Sequence, residues 1–380
     1  MRFLFHHRIA DRDGQAVHME ELVHALRGLG HEVILVGPAS FADSSFGSES
    51  KLVAGLKKAL PRALYELLEI GHNVVSFARL WRAWRRYRPD AIYERNNLYL
   101  LSGAILRRFI KTPYLLEINA PLYEERAAHG GISLKGIARR CQRMVWKRAD
   151  FALPVTQVLA DIVASYGVRR ERIHVVPNGI NSDRFRRIDM AEAKEKLGLT
   201  GRVVLGFTGF VRDWHGLDHV IDMLGAKGNE CPDLHLLIVG QGPAVPDLQA
   251  QAERLGVADR MTVTGVVERD DVATYVAAFD IALQPAVTAY ASPLKLFEYM
   301  AMAKPTIAPA QPNIMEVLTD HMDSLLFPPG DTAAMVQAVL TLYHDKAMRG
   351  VLGEGAAHTI IERGFTWRRN AERLITMVTA

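Results

Sequence analysis

Tyr290-Ala291-Ser292-Pro293-Leu294-Lys295-Leu296-Phe297-Glu298-Tyr299-Met300-Ala301 follows the apolar strand Ile281 to Leu283 and opens a helix. A strand running through a short polar loop into an amphipathic helix is the unit of an α/β fold. The first helical turn offers backbone N–H groups, a Ser hydroxyl and a Lys ammonium, the elements of an anion site. Pro293 suits the first turn, where its missing N–H costs nothing. Glu298 lies about one turn further on, where a carboxylate can hold vicinal hydroxyls of a sugar. A capped, amphipathic core helix with a solvated Lys and Glu explains the same letters, so the rest of the chain has to decide.

Upstream, strand and helix signals alternate. Arg2 to His7, His31 to Gly37, Ala91 to Glu94, Tyr114 to Ile118, Phe151 to Val155 and Ile173 to Pro177 read as strands, and Gly14 to Leu29 carries apolar residues at helical spacing. Asn178-Gly179-Ile180-Asn181 marks a turn and a polar stretch follows. Strands then resume at Val203 to Phe207, Leu234 to Val239, Met261 to Thr264, Ile281 to Leu283 and Thr306 to Ala308. The order predicts two parallel, doubly wound sheets. Three strand ends of the second half, at Gly209, Gly240/Gly242 and Ser292, fall on one sheet edge, where ligands bind in open α/β sheets. His215 adds a donor there and Lys295 a positive charge, so a diphosphate suits that edge. Tight turns account for any one of these glycines alone.

With 380 residues, 49% hydrophobic and 23% charged, the chain has material for two or three domains. No stretch of 18 apolar residues occurs, and Met1 to Phe5 runs straight into His6-His7-Arg8 without a leader pattern. Cys141 and Cys231 fit no metal or redox spacing. A cytoplasmic protein is the expectation. Residues 1–180 carry a net charge of +10 and residues 181–380 one of −6, implying an anionic partner for the front half. Between 48 and 88, Lys57, Lys58, Arg62, Arg79, Arg82, Arg85, Arg86 and Arg88 interleave with Leu56, Leu60, Leu64, Leu67, Phe77, Leu80, Trp81, Trp84 and Tyr87. This pattern fits a basic amphipathic surface on the inner face of an anionic plasma membrane; a pair of surface helices packed on the sheet is the other reading. No nucleic-acid motif accompanies the charge.

Taken in order, Gly14, Leu-Gly-His-Glu-Val at 29–33, Val176-Pro177-Asn178-Gly179-Ile180, the Gly209 to Gly216 loop, Ile238-Val239-Gly240-Gln241-Gly242-Pro243 and Ser292 to Met300 resemble the bacterial family 4 (group 1) retaining glycosyltransferases of GT-B fold. The resemblance implies two Rossmann-like domains facing across a cleft. The acceptor domain would span 1–180 and the nucleotide-sugar domain 181–364, with a C-terminal helix in 365–380 crossing back. It implies a nucleotide-diphosphate sugar as co-substrate, no metal, and a glycan or lipid-linked acceptor in envelope polysaccharide or glycolipid synthesis. Glu298 matches the second Glu of the family's E-x7-E motif, which binds the donor ribose. Ser292, Pro293, Leu294 and Lys295 fall where that loop holds the diphosphate; Gly14, with Gln15, matches the amide-bearing loop of the first domain, and Gly240 and Gly242 the Gly-rich turn.

Four positions depart from the pattern. Tyr290 replaces the first Glu. Phe210 and His215 stand where an Arg and a Lys are common, with Arg212, Lys295 and a protonated or hydrogen-bonding His215 as substitute donors. Asn119 replaces a His and cannot act as a general base. A catalytically inactive nucleotide-sugar-binding protein is the alternative these departures raise. A nicotinamide oxidoreductase lacks its G-x-G-x-x-G here.

Overall fold

A computed structural model describes residues 1–9, 14–38, 60–128 and 130–379, with only the backbone at 14 and 15. Asp11-Arg12-Asp13 and the part of the basic stretch holding Leu56, Lys57 and Lys58 lie outside the described residues. The chain divides into two compact units, Met1–Pro177 with Tyr290–Ser292 and Trp367–Ala380, and Asn178–Ala289 with Pro293–Thr366.

The first unit holds a parallel sheet of β1 (Arg2–His6), β2 (Glu32–Val36), β3 (Ala91–Arg95), β4 (Tyr114–Ile118) and β5 (Phe151–Pro154), in the order β2-β1-β3-β4-β5. β1, β3, β4 and β5 are short, mostly buried runs, as burial on both faces requires, while the edge strand β2 leaves Leu35 exposed. Phe3 pairs with Val33 on one side and Ala91 on the other. Charged residues appear where the strands run out: His6, Glu94, Arg95 and Glu117. The helix Gly14–Gly28 buries Met19, Leu22, Val23 and Leu26, one helical stripe. The terminal helix Trp367–Thr379 packs on it, with the Trp367 and His18 rings 4.7 Å apart and edge-on. Asn370 Nδ2 donates to the Pro177 carbonyl at 2.7 Å.

The second unit contains β6 (Val203–Thr208), β7 (Leu234–Val239), β8 (Met261–Val263), β9 (Ile281–Leu283), β10 (Thr306–Pro309) and β11 (Ser324–Phe327), in the order β11-β10-β9-β6-β7-β8. All pairings are parallel, and Leu205 registers with Ile281. Counted within the unit, this is the Rossmann order 3-2-1-4-5-6, and its direction reverses between β6 and β9, where the crevice for a ligand opens. Phe207, Phe279, Phe297 and Tyr299 are wholly buried in this core. Each such aromatic contributes about 1.5–3 kcal/mol relative to its exposed state. Gly206 lies where a Cβ would come within 2.1 Å of the Phe279 ring, so the central strand needs a residue without a side chain.

Two sequence expectations change. Ile173 to Pro177 forms no strand; it touches β5 through one bridge, Ala152 to Ile173, and two further backbone bonds. Ser324–Phe327 adds an edge strand that the sequence reading lacked.

Candidate active site

At the switch point of the second unit, β6 ends in Thr208 and the chain turns at Gly209 with φ 122°, a conformation open to glycine. A Cβ there would lie 3.4 Å from Lys295 Nζ. Lys295 sits in the first turn of the helix Leu294–Ala301, which follows β9 through the 284–293 loop. Pro293 is the residue before that helix, its N-cap, rather than its first position. The Lys295 ammonium lies 3.5 Å from the centroid of the Phe207 ring. Loss of water around it pushes its pKa from 10.5 down to about 7, against the opposing pull of the Glu298 carboxylate. Near neutral pH this lysine is poised between its two forms. An arriving anion restores its charge.

Glu298 lies one turn along the same helix face and accepts a hydrogen bond from the Thr208 hydroxyl at 3.3 Å. The Tyr299 hydroxyl accepts from Thr208 N–H at 2.8 Å, tying the helix to the end of β6. Neither Thr208 nor Tyr299 stood out in the sequence, because each acts through another residue.

His215 ends a short 3-10 turn, Asp213–His215, in the loop after β6. Its Nδ1 accepts from Arg212 N–H at 3.0 Å. Burial, followed by the charges of Lys295 and Arg212, pushes its pKa down to about 3. His215 is therefore neutral at neutral pH, and the bond to Nδ1 leaves the proton on Nε2 as a donor. The protonated form considered from the sequence does not occur there. Arg212 is exposed, its guanidinium 4.8 Å from the Phe210 ring and 5.1 Å from the Trp214 ring.

Gly240 and Gly242 have a packing reason of their own. A Cβ on Gly240 would come within 2.1 Å of the Gly209 carbonyl oxygen, and one on Gly242 within 2.0 Å of that of Val211. Gly209 N–H donates to Val239 O and Val211 N–H to Gln241 O, both at 2.9 Å. The two loops are laced backbone to backbone, and these glycines let the Gly209 loop lie where it does.

Gly14, Gln15, Asn119, Tyr290 and Ser292 belong to the first unit. Gly14 and Gln15 begin the helix after β1. Tyr290 and Ser292 group with the first unit, where the Thr156 hydroxyl donates to the Tyr290 carbonyl at 3.0 Å and the Tyr290 side chain packs against the core. Asn119 follows β4 and donates through Nδ2 to Glu117 Oε1. Glu117 is a buried hub that sequence reasoning missed. It also accepts from Arg95, from the Tyr93 hydroxyl at 2.8 Å, and faces His18 Nε2 at 3.3 Å. Burial alone would raise its pKa, but Arg95, His18 and the bond from Asn119 together hold it well below the usual carboxylate range. An acid and a base at the carboxyl ends of adjacent strands, Arg95 and Glu117, were the available signal.

The arrangement in the second unit thus offers a neutral imidazole N–H and an ammonium for an oxyanion, beside a carboxylate for hydroxyls. Known proteins match in the same places. A Glycosyl transferase 4-like domain model matches residues 13–179 and a Glycosyl transferases group 1 model residues 202–345. The 2-deoxystreptamine glucosyltransferase of Streptomyces kanamyceticus is 24% identical over 343 residues, 84% of this chain and 86% of that one. The alpha-monoglucosyldiacylglycerol synthase of Streptococcus pneumoniae is 24% identical over 260 residues, 66% of this chain and 58% of that one. The crystal structure of Anabaena HepE in complex with UDP superposes with a TM-score of 0.78 at 19% identity, covering 100% of both chains.

These matches define a GT-B protein built of two Rossmann-like units. The chain belongs to the group 1 glycosyltransferases, the family 4 type, and is a glycosyltransferase that uses a nucleotide sugar.

Proposed function

We propose that the chain transfers a hexosyl group from a nucleoside-diphosphate sugar, with retention of anomeric configuration and without a metal, to a glycan or lipid-linked acceptor of the cell envelope. The observation that carries this reading is the grouping of Gly209, His215, Lys295 and Glu298 at the switch point of the second unit. Glu298 would hold the ribose hydroxyls. Lys295 and His215 Nε2–H would receive the diphosphate, with Leu294 as a further contact. As the bond between the anomeric carbon and the diphosphate oxygen breaks, negative charge grows on that oxygen, and preorganised donors stabilise it. The acceptor oxygen bonds to the same face of the carbon, and its proton passes to the departing diphosphate. Asn119, held by Glu117, would bind a sugar hydroxyl.

Membrane contact is supported by the helices Arg62–Gly71 and Asn73–Tyr87. Leu64, Leu67, Leu68, Val74 and Val75 are exposed on them, and Arg82, Arg85 and Arg86 are exposed further along. Leu80 is buried and Phe77, Trp81 and Trp84 pack against the core, so those aromatics belong to the sheet side of the pattern. Among the described residues no helix is long and apolar enough to cross a membrane. In this reading the chain works peripherally, on the cytoplasmic face. The test is release of nucleoside diphosphate from a panel of nucleotide sugars, with EDTA present, in the presence of soluble glycans or anionic vesicles carrying glycolipid acceptors. Acceptor-dependent release that continues in EDTA is expected. Release that needs an added metal, or an inverted product, contradicts the proposal.

A further inference from the structure

The first unit has a second pocket, at the ends of β1 and β2, lined by His6, His7, Arg8, His72, Ser76 and Arg79. Its floor is fixed. Buried His6 lies with Nδ1 2.5 Å from Glu94 Oε2 and Nε2 3.0 Å from Ser76 Oγ. Glu94 is committed further, accepting from the Tyr114 hydroxyl at 2.6 Å and from Gly103 N–H at 3.1 Å. The His7 ring lies flush on Gly37, where a Cβ would fall 2.3 Å from its Nε2. Ile9 N–H donates to His7 Nδ1 at 3.2 Å, which leaves Nε2 to carry the proton of the neutral ring.

The rim is cationic and poorly compensated. Arg8 is half-buried, and His72 and Arg79 are exposed. Arg8 reaches Glu69 only at 3.8 Å, and Glu69 also serves Arg126 at 3.5 Å. Among the described residues, no carboxylate lies within ion-pair distance of Arg79. Burial, then the charges of Arg8 and Arg79, lowers the His72 pKa. Arg8, Arg79 and His72 line the same pocket, and guanidinium binds a tetrahedral oxyanion through paired N–H bonds. The pocket lies at the carboxyl ends of β1 and β2, one strand over from the switch point between β1 and β3.

We propose that this pocket binds a phosphate group carried by the acceptor, selecting phosphorylated acceptors over neutral ones. The proposal rests on the transferase reading for the word acceptor, while the phosphate site itself is tested without the reaction. The phosphate belongs either to a soluble sugar or polyol phosphate or to a lipid headgroup.

The experiment uses the full chain with Lys295→Ala, so that anion binding at the donor site does not contribute. Inorganic phosphate and glycerol 1-phosphate are titrated by calorimetry, and phosphatidylcholine vesicles with and without phosphatidic acid are tested by flotation. Loss of one charge-assisted pair is expected to weaken binding about tenfold or more in Arg79→Ala. Arg169→Ala, an exposed arginine elsewhere in the first unit, is expected to leave the dissociation constant unchanged, and Arg79→Lys to restore part of it. Binding of the soluble probes assigns a soluble acceptor, and binding only to phosphatidic acid vesicles a lipid one, provided either depends on Arg79. No binding by any probe, equal binding in Arg79→Ala, or equal losses in the Arg79 and Arg169 variants overturns the proposal. Nucleoside-diphosphate binding by Arg79→Ala with Lys295 intact reports separately on the transferase reading.

Discussion

Lys295 gives the most searching prediction. Its ammonium is stripped of water over the Phe207 ring and titrates near 7, although Glu298 pulls the other way. A diphosphate arriving beside it favours the charged form and draws its pKa back toward the ordinary lysine value of 10.5. The sign follows. Below about pH 7 the free protein already carries the proton and affinity is independent of this group. Above it, each pH unit makes the ligand supply about 1.36 kcal/mol to reprotonate the lysine, so the dissociation constant rises about tenfold per unit. Between pH about 7 and about 9 the donor nucleotide should weaken about a hundredfold. The phosphate's own ionisation near pH about 6 lies below this window. Calorimetric titration with the best nucleoside diphosphate across that range reads the effect directly. Lys295→Ala should bind weakly with no slope above pH 7, while Lys295→Arg, charged throughout, should bind with no slope either. In turnover, removal of this one donor should cost about 2.7–4 kcal/mol, or two to three orders of magnitude. A flat wild-type profile, or a slope that survives in Lys295→Ala, refutes the reasoning.

Other consequences follow from the packing. Gly240→Ala and Gly242→Ala each drive a methyl into a carbonyl oxygen of the neighbouring loop; a loss of about 1–3 kcal/mol is expected in urea unfolding, and an unchanged midpoint would contradict the laced-loop account. Glu117→Gln breaks a buried pair with Arg95 and should cost about 3–5 kcal/mol at neutral pH. Because the folded carboxyl is held below its ordinary value, its contribution is complete above the usual carboxylate range and is lost only as pH falls through the lowered folded value. The stability gap between wild type and Glu117→Gln should therefore close only in strong acid, and a gap that closes above the ordinary carboxylate range would show that Glu117 is not held down. Leu67→Glu with Val74→Glu removes two exposed apolar side chains and should reduce flotation with anionic vesicles; undiminished binding would place membrane contact elsewhere.

The sequence spoke most clearly where one rule governs. Apolar runs such as Tyr114–Ile118 and Leu234–Val239 became strands with the expected bounds, because a strand buried on both faces has no other composition open to it. Ile173 to Pro177 has the same look, but Pro177 and the turn after it leave room for two backbone bonds and a bridge rather than a ladder. Ser324–Phe327 escaped because four residues at a sheet edge carry little pattern. At the site, Lys295 and Glu298 were legible from their position after a strand. The state of His215 was not, since its lowered pKa comes first from burial in the fold and then from the charge of a lysine 80 positions away in sequence. Glu117 was hidden for the same reason: its partners come from elsewhere, His18 from the helix Gly14–Gly28 and Tyr93 and Arg95 from β3.

The most direct test of the central claim, a nucleotide-sugar site built on Lys295 and Glu298 in the second unit, is a thermal-shift comparison. Wild type and Glu298→Ala would be screened against UDP, GDP, ADP, TDP and CMP. Binding to the native state raises the melting temperature by mass action. The account predicts a rise with one nucleoside diphosphate that is lost in Glu298→Ala. The same rise in both proteins would contradict it.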